Sequence, residues 1–437
     1  MSLTTSRSHS TPKRWSSSIS ERYECVLPDD LVDWFDREIW KLEGTSEYDR
    51  PVSPEDLLSE SPDAIWPGLM QCDMLPILGD SAGNWLCLRV GQDNAANQIV
   101  QWYHGGGDWM PWGNRLADAI VFETFVDKLP GKHRRLAIPA EDAKEGFRPH
   151  EDPLVRWAFE HQAEPVRRLL DEAPNDESLA KTLLSHQVAE IAVRCELIHA
   201  AMDQPWAEKI DKKIASEMGF AWNQIVEWMF DGKRMPKQAR EKIQKQLKLP
   251  DIFFKKQDWE TIMAHSQMCR ELAPELTWPW DLVGYGHERQ GNEHDAITYY
   301  QQGAMRSTFT DQSVRMHTHW TQMNAAKFSV ARMEKLDSDF IKRSPYLSLL
   351  RCGESNHSHQ GVFDYWVNQA KQAERSNEAA KSIECLMQAG WDLGIDSIDQ
   401  YGPLIDEIVE ATKFANQTAR STLAKTHRNC LADRYGI

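Results

Sequence analysis

Between residues 23 and 128 the apolar positions come in short runs, each closed by turn residues. Leu75-Pro76-Ile77-Leu78, Trp85 to Val90 and Gln98 to Tyr103 have strand length. Gly79 to Asn84 separates the first two, and Gly91 to Asn94 helps to separate the last two. This pattern predicts a meander of short antiparallel strands. Helices flank it. Leu27-Pro28-Asp29-Asp30-Leu31 opens one, with Leu31, Phe35, Ile39 and Leu42 on one face, and Leu116, Ala119, Ile120 and Phe122 to Val126 predict another after the strands. The expected zone is α+β.

Residues 129–152 carry prolines, glycines and mixed charge without a period, and read as a linker. From 153 to 437 the spacing changes to three and four, as in the stripe Leu179, Leu183, Leu184, Val188, Ile191 and Ala192. The expected fold class is therefore an α+β N-terminal domain, a short antiparallel sheet flanked by helices, followed by an all-α region of helical hairpins. Residues 1–22, rich in Ser and Thr and without the apolar stretch of a signal peptide, read as a disordered tail.

Charge changes this picture more than composition does. The chain carries a formal net charge of −16. From Tyr23 to Lys128 there are 20 acidic and 6 basic residues, so about −14 sits in one quarter of the chain. Such a field attracts basic partners and repels nucleic acid, although a solvated acidic face kept for solubility has the same composition. The eight cysteines stand apart with no C-x-x-C pair, as reduced thiols of a cytoplasmic protein do. No apolar run is long enough to span a membrane.

Several strings invite chemistry. Gly79-Asp80-Ser81-Ala82-Gly83 fits the nucleophile elbow of hydrolases, and His104-Gly105-Gly106-Gly107 fits an oxyanion loop. Their order is reversed relative to that fold, and a strand-like segment follows Ser81 where a helix is needed, so both read better as turns. His317 and His319, two apart on a helix, diverge, and His357 and His359 read as part of a polar loop where they could converge; both pairs lack companions for a metal site, with Glu354 the one close carboxylate. No catalytic residue, metal or cofactor follows from these strings.

The strand block Leu75-Pro76-Ile77, Gly79-Asp80, Gly83-Asn84, Cys87-Leu88, Ile99-Val100, Trp102 and His104, with Leu27 to Leu31 and Trp34-Phe35 before it and Asp108-Trp109 to Ala119 after it, resembles the SUKH superfamily. This is the family of the fungal cell-wall assembly regulator and of many bacterial immunity proteins. The Asn-Gly-Gly often found after the first helix is missing; Glu43 to Pro54 is a longer polar insertion. The resemblance implies a non-enzymatic domain over 23–128 that binds a protein partner, toxin-like and basic in many members, with no catalytic residue to carry over. Trp102, Tyr103, His104, Asp108, Trp109 and Trp112 are the candidate contacts, as aromatic anchors beside a glycine loop. The alternative is that these tryptophans pack over the sheet as core.

Two further resemblances lie in the helical part. Trp280, Val283, Gly284, Gly291, Ala296, Tyr300 and Ala304 stand at the signature spacing of a tetratricopeptide repeat over 277–306, and Ala370 to Ala389 resembles a degenerate copy. Stacks of this kind bind peptides or serve as scaffolds. Residues 214–230, with Ala215, Gly219, Ile225 and Trp228, resemble a helix-turn-helix of the phage-repressor type. That is a rival reading as a DNA-binding regulator, in which Trp222, Asn223 and Glu227 would be presented. Lys209 to Lys248 is net basic, against the trend of the chain, whereas Glu227 would face phosphate.

Overall fold

The computed structural model describes residues 14–44, 47–131, 148–172, 176–311, 325–353 and 355–437. Five strands form one antiparallel sheet in the order β1-β2-β3-β4-β5: β1 Tyr48–Pro51, β2 Met74–Asp80, β3 Trp85–Val90, β4 Ala96–Trp102 and β5 Trp109–Gly113. Every strand pairs with its sequence neighbour, so the sheet is a meander. The expected α+β zone followed by helices is what forms, with the three anticipated strands in place. The two outer strands were not anticipated. Tyr-Asp-Arg-Pro and Trp-Met-Pro-Trp-Gly are short and hold a proline each, and both lie at sheet edges, where a missing N–H costs little.

The opening helix is shorter than its apolar spacing predicts. It runs Asp29–Asp36 and stops where Glu38 turns into the left-handed region at φ 57°, which leaves Ile39 in a separate short turn and Leu42 exposed. The disordered tail expected over 1–22 is corrected at its C-terminal end. Residues Trp15–Tyr23 form a helix whose Trp15, Ile19 and Tyr23 are buried, and the Tyr23 hydroxyl donates to the Leu57 carbonyl at 2.7 Å. The spacing of four residues between these three large side chains is the signal that the serine-rich composition hid.

All seven residues of β2 are buried. Successive strand side chains point to opposite faces, so the sheet is covered on both. Helices Asp29–Asp36 and Leu116–Phe125 supply part of the cover: buried Asp30 accepts the Ala117 N–H at 3.0 Å and joins the two. The rest comes from helices far along the chain. In helix Thr418–Tyr435, His427 donates from Nε2 to the Met74 carbonyl at 2.8 Å, and Cys72 meets Met387 at 3.5 Å between sulfur atoms. One connected apolar core consequently runs from Trp15 to Leu431, through residues 23–128 and the helical region alike.

A second, separate core is small. Trp206, Ile210, Ala215, Met218, Ile225, Trp228, Ala239 and Ile243 pack on one another within residues 206–254. The remaining helices pair as hairpins. Thr277–Gln290 and Glu293–Ala304 form the one expected at 277–306, turning at Gly291 with φ 82°. A methyl group on Gly284 would stand 2.8 Å from the Tyr300 ring, so only glycine permits this approach. Asn356–Arg375 pairs with Ala379–Trp391, and Tyr401–Phe414 with Thr418–Tyr435. Among the described residues no helix is long and apolar enough to cross a membrane.

Candidate functional site

The sheet and the hairpins do not close completely on each other. Between them lies a cleft of about 1110 Å³. Its sheet-side wall is built from Asp73 just ahead of β2, Arg89 in β3, Gln98 directly opposite it in β4, and Trp109 at the start of β5. Arg89 organises this wall. Its Nε lies 3.1 Å from Asp73 Oδ2 and its Nη1 3.0 Å from Glu275 Oε1, while the guanidinium stands 4.7 Å from the Trp109 ring centre. Arg420 reaches the same Asp73 oxygen at 3.5 Å. Burial pushes the Asp73 carboxyl up, but the two guanidiniums outweigh it and hold the group below its ordinary pKa. The Arg89–Glu275 pair and the Gln92–Glu384 hydrogen bond of 2.9 Å each tie the sheet side to the helical side.

The opposite wall is aromatic. Tyr346 stacks on Tyr365 with ring centres 4.6 Å apart and meets Trp366 edge-on at 5.2 Å. Behind them the Tyr346 hydroxyl donates to Asp392, which forms a fully buried ion pair with Lys327. Burial raises the Asp392 carboxyl to about 6, with Lys327 opposing the rise. Lys327 also donates to the Ala304 carbonyl at 2.8 Å, so it fixes the join between hairpins and has no path to solvent. Cys385, on the same wall, is raised to about 11 by burial and stays a thiol, which removes it as a nucleophile at neutral pH.

Among the described residues, eight carboxamide side chains line the cleft, including Gln71, Asn97, Gln98, Gln301 and Gln388. A carboxamide has two donors and an acceptor, the complement of a peptide backbone, which presents one of each per residue; Gln92 and Gln98 are in part taken up by Glu384 and Arg89. A second, more apolar groove of about 700 Å³ lies along helices Asn356–Arg375, Ala379–Trp391 and Tyr401–Phe414, ending at exposed Phe414.

The contact residues expected from the sequence fall differently. Trp102, Asp108, Trp109 and Trp112 are buried, so they are not an exposed aromatic patch. Trp112 packs edge-on against Phe122 at 4.9 Å and Tyr48 at 5.9 Å, because strand alternation turns it toward the flanking elements. Tyr103 and His104 are half-buried, and the His104 ring lies edge-on to Trp66 at 4.5 Å. Of the six, Trp109 alone lines the cleft. Sequence reasoning missed Asp73, Arg89, Glu275, Tyr346, Trp366 and Arg420. One signal was available: Arg89 is the single charge inside the apolar run Trp85 to Val90.

Ser81 is exposed at the tip of the β2–β3 hairpin, where Asp80 Oδ1 accepts the N–H groups of Ala82 at 2.9 Å and Asn84 at 2.7 Å. An antiparallel strand follows it, so the strand-to-helix support of a nucleophile elbow is missing. His357 and His359 lie in the first turn of helix Asn356–Arg375 rather than in a loop, and two residues apart they diverge. Glu354, His317 and His319 lie outside the described residues. The three residues Cys195, Glu196 and His199 on helix Glu190–Met202 bring a thiol, carboxylate and imidazole together, but at 3.8 and 3.6 Å and wholly inside the core. Compared with protein-family models, curated proteins and solved structures, the chain matches none.

Proposed function

We propose that this chain is a non-enzymatic protein-binding protein, of the immunity or regulatory adaptor kind, that holds an extended polypeptide segment in the cleft between its sheet and its helical hairpins. The observation that carries the reading is the lining: carboxamides for a backbone, aromatic rings for side chains, and a central cluster of Asp73, Arg89, Glu275 and Arg420 whose charges are paired with one another. Paired charges set the shape of the cleft without demanding a charged ligand. The meander between helices Asp29–Asp36 and Leu116–Phe125 is in keeping with the SUKH resemblance, and the hairpins with a peptide-holding scaffold.

The surface supports a basic partner. Of the 20 acidic residues in 23–128, five are buried (Asp30, Asp73, Asp80, Asp108 and Asp118) and eleven are exposed, against four exposed cations. The zone therefore remains acidic outside, and a basic polypeptide is steered to it.

The test is a selection of displayed peptides on the full chain. Selected peptides bind the unaltered protein and lose about tenfold or more in affinity on the double substitution Asn97→Ala/Gln301→Ala, two exposed positions on opposite walls. Unchanged affinity for the variant contradicts the reading.

A further inference from the structure

Residues 206–254 are set apart by their own core and by their charge. Helix Lys212–Glu217 is followed by the turn Met218 to Ala221 and by helix Trp222–Phe230, with Gly219 in the left-handed conformation at φ 73°. The turn closes through hydrogen bonds from the Gly219 N–H to Ser216 at 2.8 Å and from the Phe220 N–H to Ala215 at 2.9 Å. Ala215 and Ile225 are fully buried between the two helices, and Trp228 is buried beside them. A third helix, Lys237–Leu247, closes the core with Ala239 and Ile243. This is a trihelical unit around a helix-turn-helix.

The charges follow the same division. From 206 to 256 there are ten exposed lysines against five exposed carboxylates. Glu227, whose position in the second helix would oppose a phosphate, is taken up by Arg234. Asp231 is buried and bound by Arg289 and by the Tyr285 hydroxyl. Asp211 caps its helix by accepting the Ile214 N–H at 2.7 Å, and Asp251 pairs with Arg240 at 3.2 Å. Lys242 lies over the Phe220 ring at 5.4 Å, directly beside the turn, and Lys245 follows it on the same helix face. At the start of the second helix Asn223 is exposed, whereas Gln224 is occupied as a cap on the Ala221 N–H at 3.0 Å.

We infer that this unit is a docking surface for double-stranded DNA, with Lys242 and Lys245 on phosphates and Asn223 directed to a base edge in the major groove. It goes beyond the polypeptide-binding reading and rests on different residues. A helix-turn-helix presents the first residues of its second helix to bases and uses lysines around it to fix its position on the backbone. Asparagine suits adenine, whose N6 and N7 it can contact together. The acidity of the chain is concentrated in other residues, with about −14 of it in residues 23–128.

The experiment uses the full chain and duplex DNA selected by it from a random-sequence pool, with affinity read by fluorescence anisotropy from about 50 to 200 mM salt. The expected result is binding that weakens as salt rises, with a log–log slope reduced by about two in Lys242→Gln/Lys245→Gln and unchanged in Lys371→Gln. Asn223→Ala is expected to narrow the preference for the selected over a scrambled duplex by about 5- to 100-fold while keeping the salt slope. No binding at about 50 mM salt, a slope indifferent to the lysine pair, or a preference for single-stranded RNA over the duplex would overturn the inference.

Discussion

The sheet zone and the trihelical unit solve opposite problems. Residues 23–128 are acidic, yet they bury five aspartates and share their core with helices three hundred residues away. Residues 206–254 are basic, keep their lysines at the surface, and close a core of eight residues on themselves. The first region, though still acidic outside, commits a quarter of its carboxylates to its interior: Asp30 joins two helices, Asp80 shapes a turn and Asp73 holds two arginines. The second displays it. Charge counted along a sequence therefore describes a surface only where the residues carrying it are not architectural.

That contrast can be broken most forcefully in the large core. Asp392→Ala leaves Lys327 buried without its counter-charge and is expected to cost about 3–5 kcal/mol in urea unfolding. Adding Lys327→Met should recover a good part of the loss. Because the core is continuous, the single substitution should lower protection across sheet and hairpins together.

Ile225→Ala sharpens the comparison from the other side. It is expected to cost about 2–5 kcal/mol, confined to the small core. Hydrogen exchange should quicken over 206–254 while β2 to β4 keep their protection. Equal loosening of the sheet would show that the two cores are one cooperative unit.

The smallest effect concerns pH. Burial lowers His427 to about 4, with its bond to the Met74 carbonyl and nearby Asp73 acting the other way. The unfolded chain takes up this proton below about pH 6.5, the folded chain only near 4. Stability is thus lost as pH falls through that window. His427→Gln should make the decline shallower than in the unaltered protein, measured as urea midpoints from pH 7 to 4.5.

Local signals made much of the fold legible. The strands at 74–80, 85–90 and 96–102, the helix Leu116–Phe125 and the hairpin around Gly291 all stand where period and turn chemistry place them. Ala215, Gly219, Ile225 and Trp228 also occupy the positions that their spacing assigns. The cleft was illegible because it is assembled from distant segments. Asp73, Glu275, Tyr346 and Arg420 have no mutual spacing to read, and only folding brings them together. The tryptophans misled for a related reason: a strand at the edge of an exposed sheet shows its rings, whereas here near and late helices together cover the sheet.

Under the proposed function the cleft, rather than the acidic outer surface, holds the partner. A selected polypeptide carrying a photo-reactive group, cross-linked to the full chain and mapped by mass spectrometry, tests it directly. Cross-links are expected within Gln92 to Gln98, Gln301 to Ser307 and Lys381 to Gln388. Cross-links gathered instead on helix Asp29–Asp36 or on β1, with none in the cleft, would contradict it.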